Sequence, residues 1–158
     1  MDVDGVLTDG KIILDANGVE SKVFYVQDGS AITYLHRVGI KTAIISGRES
    51  KVVELRANEL SIEDVYLGIH RKLDAYEKIL KKHKIKDNEI CYIGDDLIDL
   101  PILTKVGFSV AVPNAPLEVK ERVSYITDAP GGYGAVREVT EKILKSQGKW
   151  EAITSRYY

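Results

Sequence analysis

The chain has 158 residues, 44% of them hydrophobic, and its 22 Lys and Arg against 24 Asp and Glu give a formal charge of −2. That length supplies one core and one domain, and the even spread of charge leaves no basic block to grip nucleic acid or an anionic membrane, so a small soluble substrate is expected. No apolar run approaches the ~20 residues of a membrane span, no signal peptide is visible and the single cysteine, Cys91, can form no intrachain disulfide, so the cytoplasm is the expected compartment.

Met1 stands directly before Asp2-Val3-Asp4-Gly5, where a buried strand should already be running, so residues ahead of Met1 are expected to complete that strand. Ile12-Ile13-Leu14 and Val23-Phe24-Tyr25-Val26 read as two strands around Asn17-Gly18, a pair suited to tight turns, and predict a β-hairpin over 11–26. Beyond it come a strand at Thr42 to Ile45, a helix near 49–59, a strand at Val65 to Leu67 and a helix near 71–83. In that second helix Leu73, Tyr76 and Leu80 fall on one face. Strands at Ile90 to Ile93 and Phe108 to Val112 follow, then an amphipathic helix marked by Val136, Val139, Ile143 and Leu144, and a polar tail over 147–158 that carries Trp150, Tyr157 and Tyr158.

Strands alternating with helices predict an α/β fold, a doubly wound, mostly parallel Rossmann-like sheet with helices on both faces, in a single domain over 1–158. Open sheets of this kind bind ligands beyond the carboxyl ends of their strands. The polar groups of chemical interest all follow strands: Asp2 and Asp4 the first, Ser46 the second, Gly68 to Lys72 the third, Asp95 and Asp96 the fourth.

Side chains two apart in an extended segment point to one side, so Asp2 and Asp4 present two carboxylates to one space while Gly5 lets the backbone turn. One carboxylate can attack phosphorus and the other can exchange protons with the leaving alcohol and with water. A calcium loop counted from Asp2 would need glycine at its sixth position, which is Leu7. Asp95, Asp96 and Asp99 form a second acidic cluster that suits magnesium, with Asp95 the direct ligand and Asp96 and Asp99 supporting it from behind, or simply charging a helix start. Ser46-Gly47-Arg48 offers a hydroxyl and backbone N–H groups to phosphate, and Lys72 offers the fixed positive charge that phosphoryl transfer needs. Of the histidines, His36 and His83 read as solvated or core residues, and His70, two residues before Lys72, is the one near the expected site. Cys91 reads as a strand residue.

Together, DVDGVLTDG at 2–10, IISG at 44–47, Lys72 and GDDLID at 94–99 resemble the four motifs of the haloacid dehalogenase superfamily. The resemblance implies Asp2 as nucleophile, Asp4 as acid/base, Ser46, Gly47 and Lys72 as phosphate ligands, and Mg2+ held by Asp2, Asp4 through its backbone carbonyl, and Asp95. Neither gap between motifs can hold a cap domain, so the substrate is large or another subunit supplies a lid. QDGSAI at 27–32, SGRES at 46–50 and GGYGAVREV at 131–139 narrow the likeness to the capless, tetrameric phosphatases of 3-deoxy-D-manno-octulosonate 8-phosphate. That likeness implies a homotetramer whose hairpin covers the neighbouring active site, Arg48 and Arg56 as binders of the sugar acid's anionic groups, and the segment from Gly131 to Arg137 as a closing element. Surface salt bridging is the other reading of the two arginines, and a flexible turn that of the glycines. The rivals in function are a phosphatase for a nonulosonate 9-phosphate, a receiver-like signalling module and a non-catalytic oligomerisation domain.

Overall fold

The computed structural model describes residues 1–158. Its strands are β1 (Ile13–Leu14), β2 (Glu20–Ser21), β3 (Ala43–Ile45), β4 (Asp64–Tyr66), β5 (Cys91–Gly94), β6 (Phe108–Ala111) and β7 (Tyr125–Ile126). The helices are α1 (Val26–Arg37), α2 (Lys51–Glu59), α3 (Lys72–His83), α4 (Leu100–Leu103), α5 (Leu117–Lys120), α6 (Ala135–Ser146) and α7 (Trp150–Thr154). Strand β3 pairs parallel with β4, and β5, β6 and β7 pair parallel in that order. Met1 and Asp2 lie between the two groups: the Met1 carbonyl accepts from Ile45 N at 3.1 Å, and Asp2 N donates to the Ile93 carbonyl at 3.0 Å. The first strand expected at the motif is thus represented by a bridging pair of residues that joins both groups into one parallel layer.

Consecutive strand residues face opposite sides of a sheet. Ile44 and Ile45, Tyr92 and Ile93, and Val110 and Ala111 are all buried, so both faces are covered, as the sequence predicts for a doubly wound sheet. On α3 the buried face is Ala75, Tyr76 and Ile79, with Leu73 and Leu80 flanking it half-buried. The predicted face is thus rotated onto the smaller Ala75, which lets the helix approach the sheet closely.

Two helix starts are capped by side chains, one locally and one from another helix. Ser50 caps α2 by accepting from Val53 N at 3.4 Å. Helix α6 begins at Gly134, at φ 110°, and its free N–H groups are met by the buried Asp28 of α1, which accepts from Gly134 N at 3.3 Å and Arg137 N at 2.8 Å. Asp28 lies in the QDGSAI string, and this contact ties α1 to α6.

Two expectations need correction. The hairpin is shorter than predicted: Ile13 pairs with Ser21 and Leu14 with Glu20, Val23 to Tyr25 form no strand, and Val26 starts α1. The turn explains the shift, because Asp15 Oδ1 accepts from both Asn17 N and Val19 N and closes the loop early. The tail over 147–158 is not a loose polar extension: α7 buries Ile153 against Leu35 and Leu144, and Arg137 lies over the rings of Tyr34 and Trp150 at 5.0 Å and 5.6 Å.

Candidate active site

The carboxyl ends of β3, β4 and β5 and the bridging Met1–Asp2 segment bring the motif residues together. Asp2 is buried, its Oδ1 accepts from Val3 N at 2.7 Å, and its Oδ2 lies 2.8 Å from Lys72 Nζ. Lys72 opens α3 and is buried as well, 2.8 Å from Asp99 Oδ1 on its other side. Asp2, Asp95 and Asp99 each offer a carboxylate oxygen, and these oxygens all lie within 4.8 Å of one another.

Hydrogen bonding divides the labour among those acids. Asp99 is fully buried, with Oδ1 accepting from Lys72 Nζ and from Tyr92 Oη at 2.8 Å, and Oδ2 accepting from Asp95 N at 3.1 Å and Asp96 N at 3.2 Å. Four donors occupy the roughly four lone-pair positions of a carboxylate, so Asp99 is a strut for the loop rather than an open ligand. Asp95 accepts no hydrogen bond from the protein and is packed so closely on the turn that a Cβ at Gly5 would come within 2.0 Å of its Oδ2. Asp96 is exposed and accepts from Leu97 N at 2.7 Å, capping the short helical turn Leu97–Asp99.

The electrostatics follow from crowding. Burial and the neighbouring Asp99 raise the pKa of Asp2, with Lys72 opposing. Burial, Asp2 and Asp99 push Asp95 up to about 8. Burial works to strip Lys72 of its charge, but Asp99 and Asp2 outweigh it and hold its pKa above the ordinary lysine value. Three carboxylates against one ammonium leave excess negative charge in a buried space, and the donors are all hard oxygens, so the residues fit a magnesium ion.

Ser46 is buried at the end of β3, fixed by its N–H to the Tyr66 carbonyl at 2.8 Å and by its carbonyl to Ile69 N at 3.0 Å, while its Oγ accepts from Arg48 N at 3.3 Å. Gly47 turns between them, with Ile98 Cδ1 the nearest atom to a notional Cβ at 3.6 Å. Asp4 is paired with Lys22 Nζ through Oδ1, and Arg48 Nε lies 3.6 Å from its Oδ2. Arg48 also donates to Glu20 Oε1 at 2.9 Å, and Glu20 in turn accepts from Ser50 Oγ. A groove of about 750 Å³ beside the site shares Glu20 and Arg48 with it and is walled by Leu14, Ser50, Val65 and Leu67.

The glycine segment packs directly on the motif loop. Gly132 N donates to the Val6 carbonyl at 2.9 Å, and a Cβ at Gly131 would meet the Gly5 carbonyl oxygen at 1.7 Å. Arg137 points away, paired with Glu141 at 2.6 Å. Arg56 is likewise not brought to the cluster: it donates to Glu59 at 2.8 Å and rests 5.7 Å from the Phe24 ring centroid, in space left by Gly29. His70 is exposed, while His36 and His83 pair with Thr42 and Asp64. Cys91 opens β5 half-buried, and burial pushes its thiol up to about 12. Sequence reasoning missed Lys22, Glu20, Ser50 and Tyr92; the Glu-x-Lys spacing on an extended run was the available signal for the first two.

Residues 61–136 match a family model described as haloacid dehalogenase-like hydrolase. The 3-deoxy-D-manno-octulosonate 8-phosphate phosphatase KdsC of Salmonella typhi is 46% identical over 149 residues, covering 94% of this chain and 79% of that relative. A crystal structure of 3-deoxy-D-manno-octulosonate 8-phosphate phosphatase from Moraxella catarrhalis, in complex with magnesium ion, phosphate ion and a KDO molecule, matches with a TM-score of 0.98 at 45% identity, covering 100% of this chain and 91% of that one. The cobalt-bound form of the Haemophilus influenzae enzyme matches with a TM-score of 0.90 at 42% identity, covering 94% of this chain and 86% of that one. With identity of this order across nearly its whole length, the chain belongs to the 3-deoxy-D-manno-octulosonate 8-phosphate phosphatases, within the haloacid dehalogenase-like hydrolases.

Proposed function

We propose that this single-domain chain is a cytoplasmic, magnesium-dependent phosphatase that converts 3-deoxy-D-manno-octulosonate 8-phosphate to the free sugar acid and phosphate during lipopolysaccharide precursor synthesis. The observation that carries the reading is the pairing of a buried nucleophile with a buried fixed cation, Asp2 Oδ2 at 2.8 Å from Lys72 Nζ, inside the cluster with Asp95 and Asp99. An Asp2 oxygen attacks phosphorus, the bond from phosphorus to the sugar oxygen breaks, and Asp4 gives that oxygen its proton. Asp4 then takes a proton from water as the water oxygen attacks the aspartyl-phosphate, releasing phosphate and restoring Asp2. Lys72, the Ser46 hydroxyl and the backbone at Gly47 hold the phosphoryl oxygens. Magnesium, when bound by Asp2, Asp95 and the Asp4 backbone carbonyl, supplies further neutralisation of phosphoryl charge. Asp99 and Asp96 keep the Asp95 loop in shape.

In this reading Arg48, half-exposed at the groove and paired with Glu20 beside Asp4, binds the sugar acid's carboxylate, whereas Arg56, engaged by Glu59 and Phe24 away from the cluster, takes no part. The apolar side chains of Ile12, Ile13, Leu14 and Val19 are exposed on the hairpin, which supports a homotetramer in which its tip covers a neighbouring site. A phosphate-release screen over eight- and nine-carbon sugar-acid phosphates, with and without magnesium, tests the assignment. Release from the octulosonate 8-phosphate in magnesium alone is expected, and release confined to a nonulosonate 9-phosphate would replace it with the nine-carbon reading.

A further inference from the structure

We propose that Lys22, delivered by the hairpin of the same chain, is a positioning residue that holds Asp4 in place for both of its proton transfers. This inference rests on the reading of Asp4 as the acid/base. The Lys22 side chain is only 1% exposed, and its ammonium meets Asp4 Oδ1 and, at 3.3 Å, Glu20 Oε1. Lys22 provides the only hydrogen bond that the Asp4 carboxylate receives from the protein; the Arg48 contact to the other oxygen, at 3.6 Å, is too long to fix it.

Two features separate this arrangement from a plain anchor. Burying an ammonium is costly, and a well-packed apolar side chain generally holds two elements together at least as well as a buried ion pair does. A hairpin of two-residue strands gains little from such an investment unless the charge serves the site. The ammonium is also referenced to the scaffold rather than to the hairpin alone. Glu20, two residues earlier and on the same side of the extended run, is gripped by Arg48 at 2.9 Å and by Ser50, the residue that caps α2. Through Glu20, the loop after β3 sets Lys22, and Lys22 sets Asp4. Freed from Lys22, Asp4 can swing about its side-chain torsions, and a displacement of about 1 Å at a reacting group can cost ~100-fold in rate.

The test compares the magnesium-loaded parent with Asp4→Asn, Lys22→Met, Lys22→Arg and Glu20→Gln on two substrates, the octulosonate 8-phosphate and p-nitrophenyl phosphate. The second has a leaving group that departs without a proton, so only the water step then needs Asp4. Lys22→Met should lower kcat on the sugar phosphate by roughly tenfold or more while KM stays within about twofold, a fraction of the ~100-fold or greater contribution of general acid/base catalysis. On p-nitrophenyl phosphate it should release about one equivalent of p-nitrophenol per site in a burst before slow turnover. Lys22→Arg should recover most of kcat. A rise in KM with kcat intact, or equal losses on both substrates with no burst, would overturn the proposal. Should Lys22→Met fail to fold, Glu20→Gln is read by the same burst, and a parental time course there would overturn it equally. If Asp4→Asn turns over like the parent, the acid/base reading itself fails; if Asp4→Asn is dead and Lys22→Met behaves like the parent, only the positioning role fails.

Discussion

Lys72 and Lys22 are buried to the same degree, each with a side chain 1% exposed and each between two carboxylates. What carries them differs. Lys72 opens a twelve-residue helix packed on the sheet, and its partners are Asp2, whose N–H donates to the Ile93 carbonyl of β5, and the fully buried Asp99 of the Leu97–Asp99 turn. Lys22 follows a two-residue strand whose neighbours Ile13, Leu14 and Val19 are exposed. The same electrostatic device is built once into the core and once into an element that few contacts hold. The lesson is a separation of tasks: in the proposed mechanism the core half holds the attacking Asp2 and the phosphate charge, while the peripheral half holds Asp4 from an element that few contacts secure.

The sharpest way to break this comparison is to remove the core lysine. Lys72→Met should reduce kcat by ~100- to 1,000-fold on any phosphate monoester, as expected for loss of one preorganised charge at the transferring group. A loss confined to the sugar-acid phosphate would show that Lys72 serves selectivity instead. A smaller and more selective effect is expected from shortening the exposed hairpin tip over Asp15 to Val19, which leaves Glu20 and Lys22 in place. The preference for the sugar-acid phosphate over p-nitrophenyl phosphate, measured as the ratio of kcat/KM values, should fall by roughly tenfold, with the unfolding midpoint nearly unchanged because the removed residues bury little apolar surface. An unchanged ratio would end the peripheral assignment.

The smallest effect concerns stability. Burial and then the neighbouring Asp2 and Asp99 push Asp95 up to about 8 in the folded chain. The folded state therefore holds a proton that the unfolded state has lost, and metal-free stability must decline as pH rises between the two pKa values. Differential scanning fluorimetry without magnesium should show the midpoint falling by a few degrees from about pH 6 to about pH 9, with saturating magnesium flattening the slope because metal replaces the proton. A metal-free midpoint that climbs with pH over this range would contradict the crowding described at Asp95.

The acidic and lysine cluster was legible in the sequence where a charged residue comes after a strand. Lys72 comes after β4 and Asp95 directly after β5, and the geometry places Lys72 at 2.8 Å from Asp2 and Asp95 in the acidic cluster with it. The Glu-x-Lys spacing puts Glu20 and Lys22 on one side of an extended run but does not say what they face, because a lysine in a polar, turn-flanked stretch has the same sequence signature whether it faces water or a carboxylate. Tyr92 hid inside a continuous apolar strand, where nothing marks the one side chain whose hydroxyl reaches Asp99 at 2.8 Å. The hairpin register went wrong for a related reason: apolar content placed the second strand at Val23 to Val26, but the Asp15 turn and the α1 start at Val26 settle it at Glu20–Ser21. The tail read as polar because its packing depends on a few residues, Ile153 and the ring of Trp150, that make no period in twelve positions.

The contact of Gly131 and Gly132 with the Gly5 to Thr8 loop joins segments far apart in the chain. During synthesis Asp2, the proposed nucleophile, emerges long before the wall behind its loop, which comes just ahead of α6. A chain that lacks the Gly131–Gly132 segment cannot present a finished site, so completing the site means closing a long loop, a costly and slow step of folding.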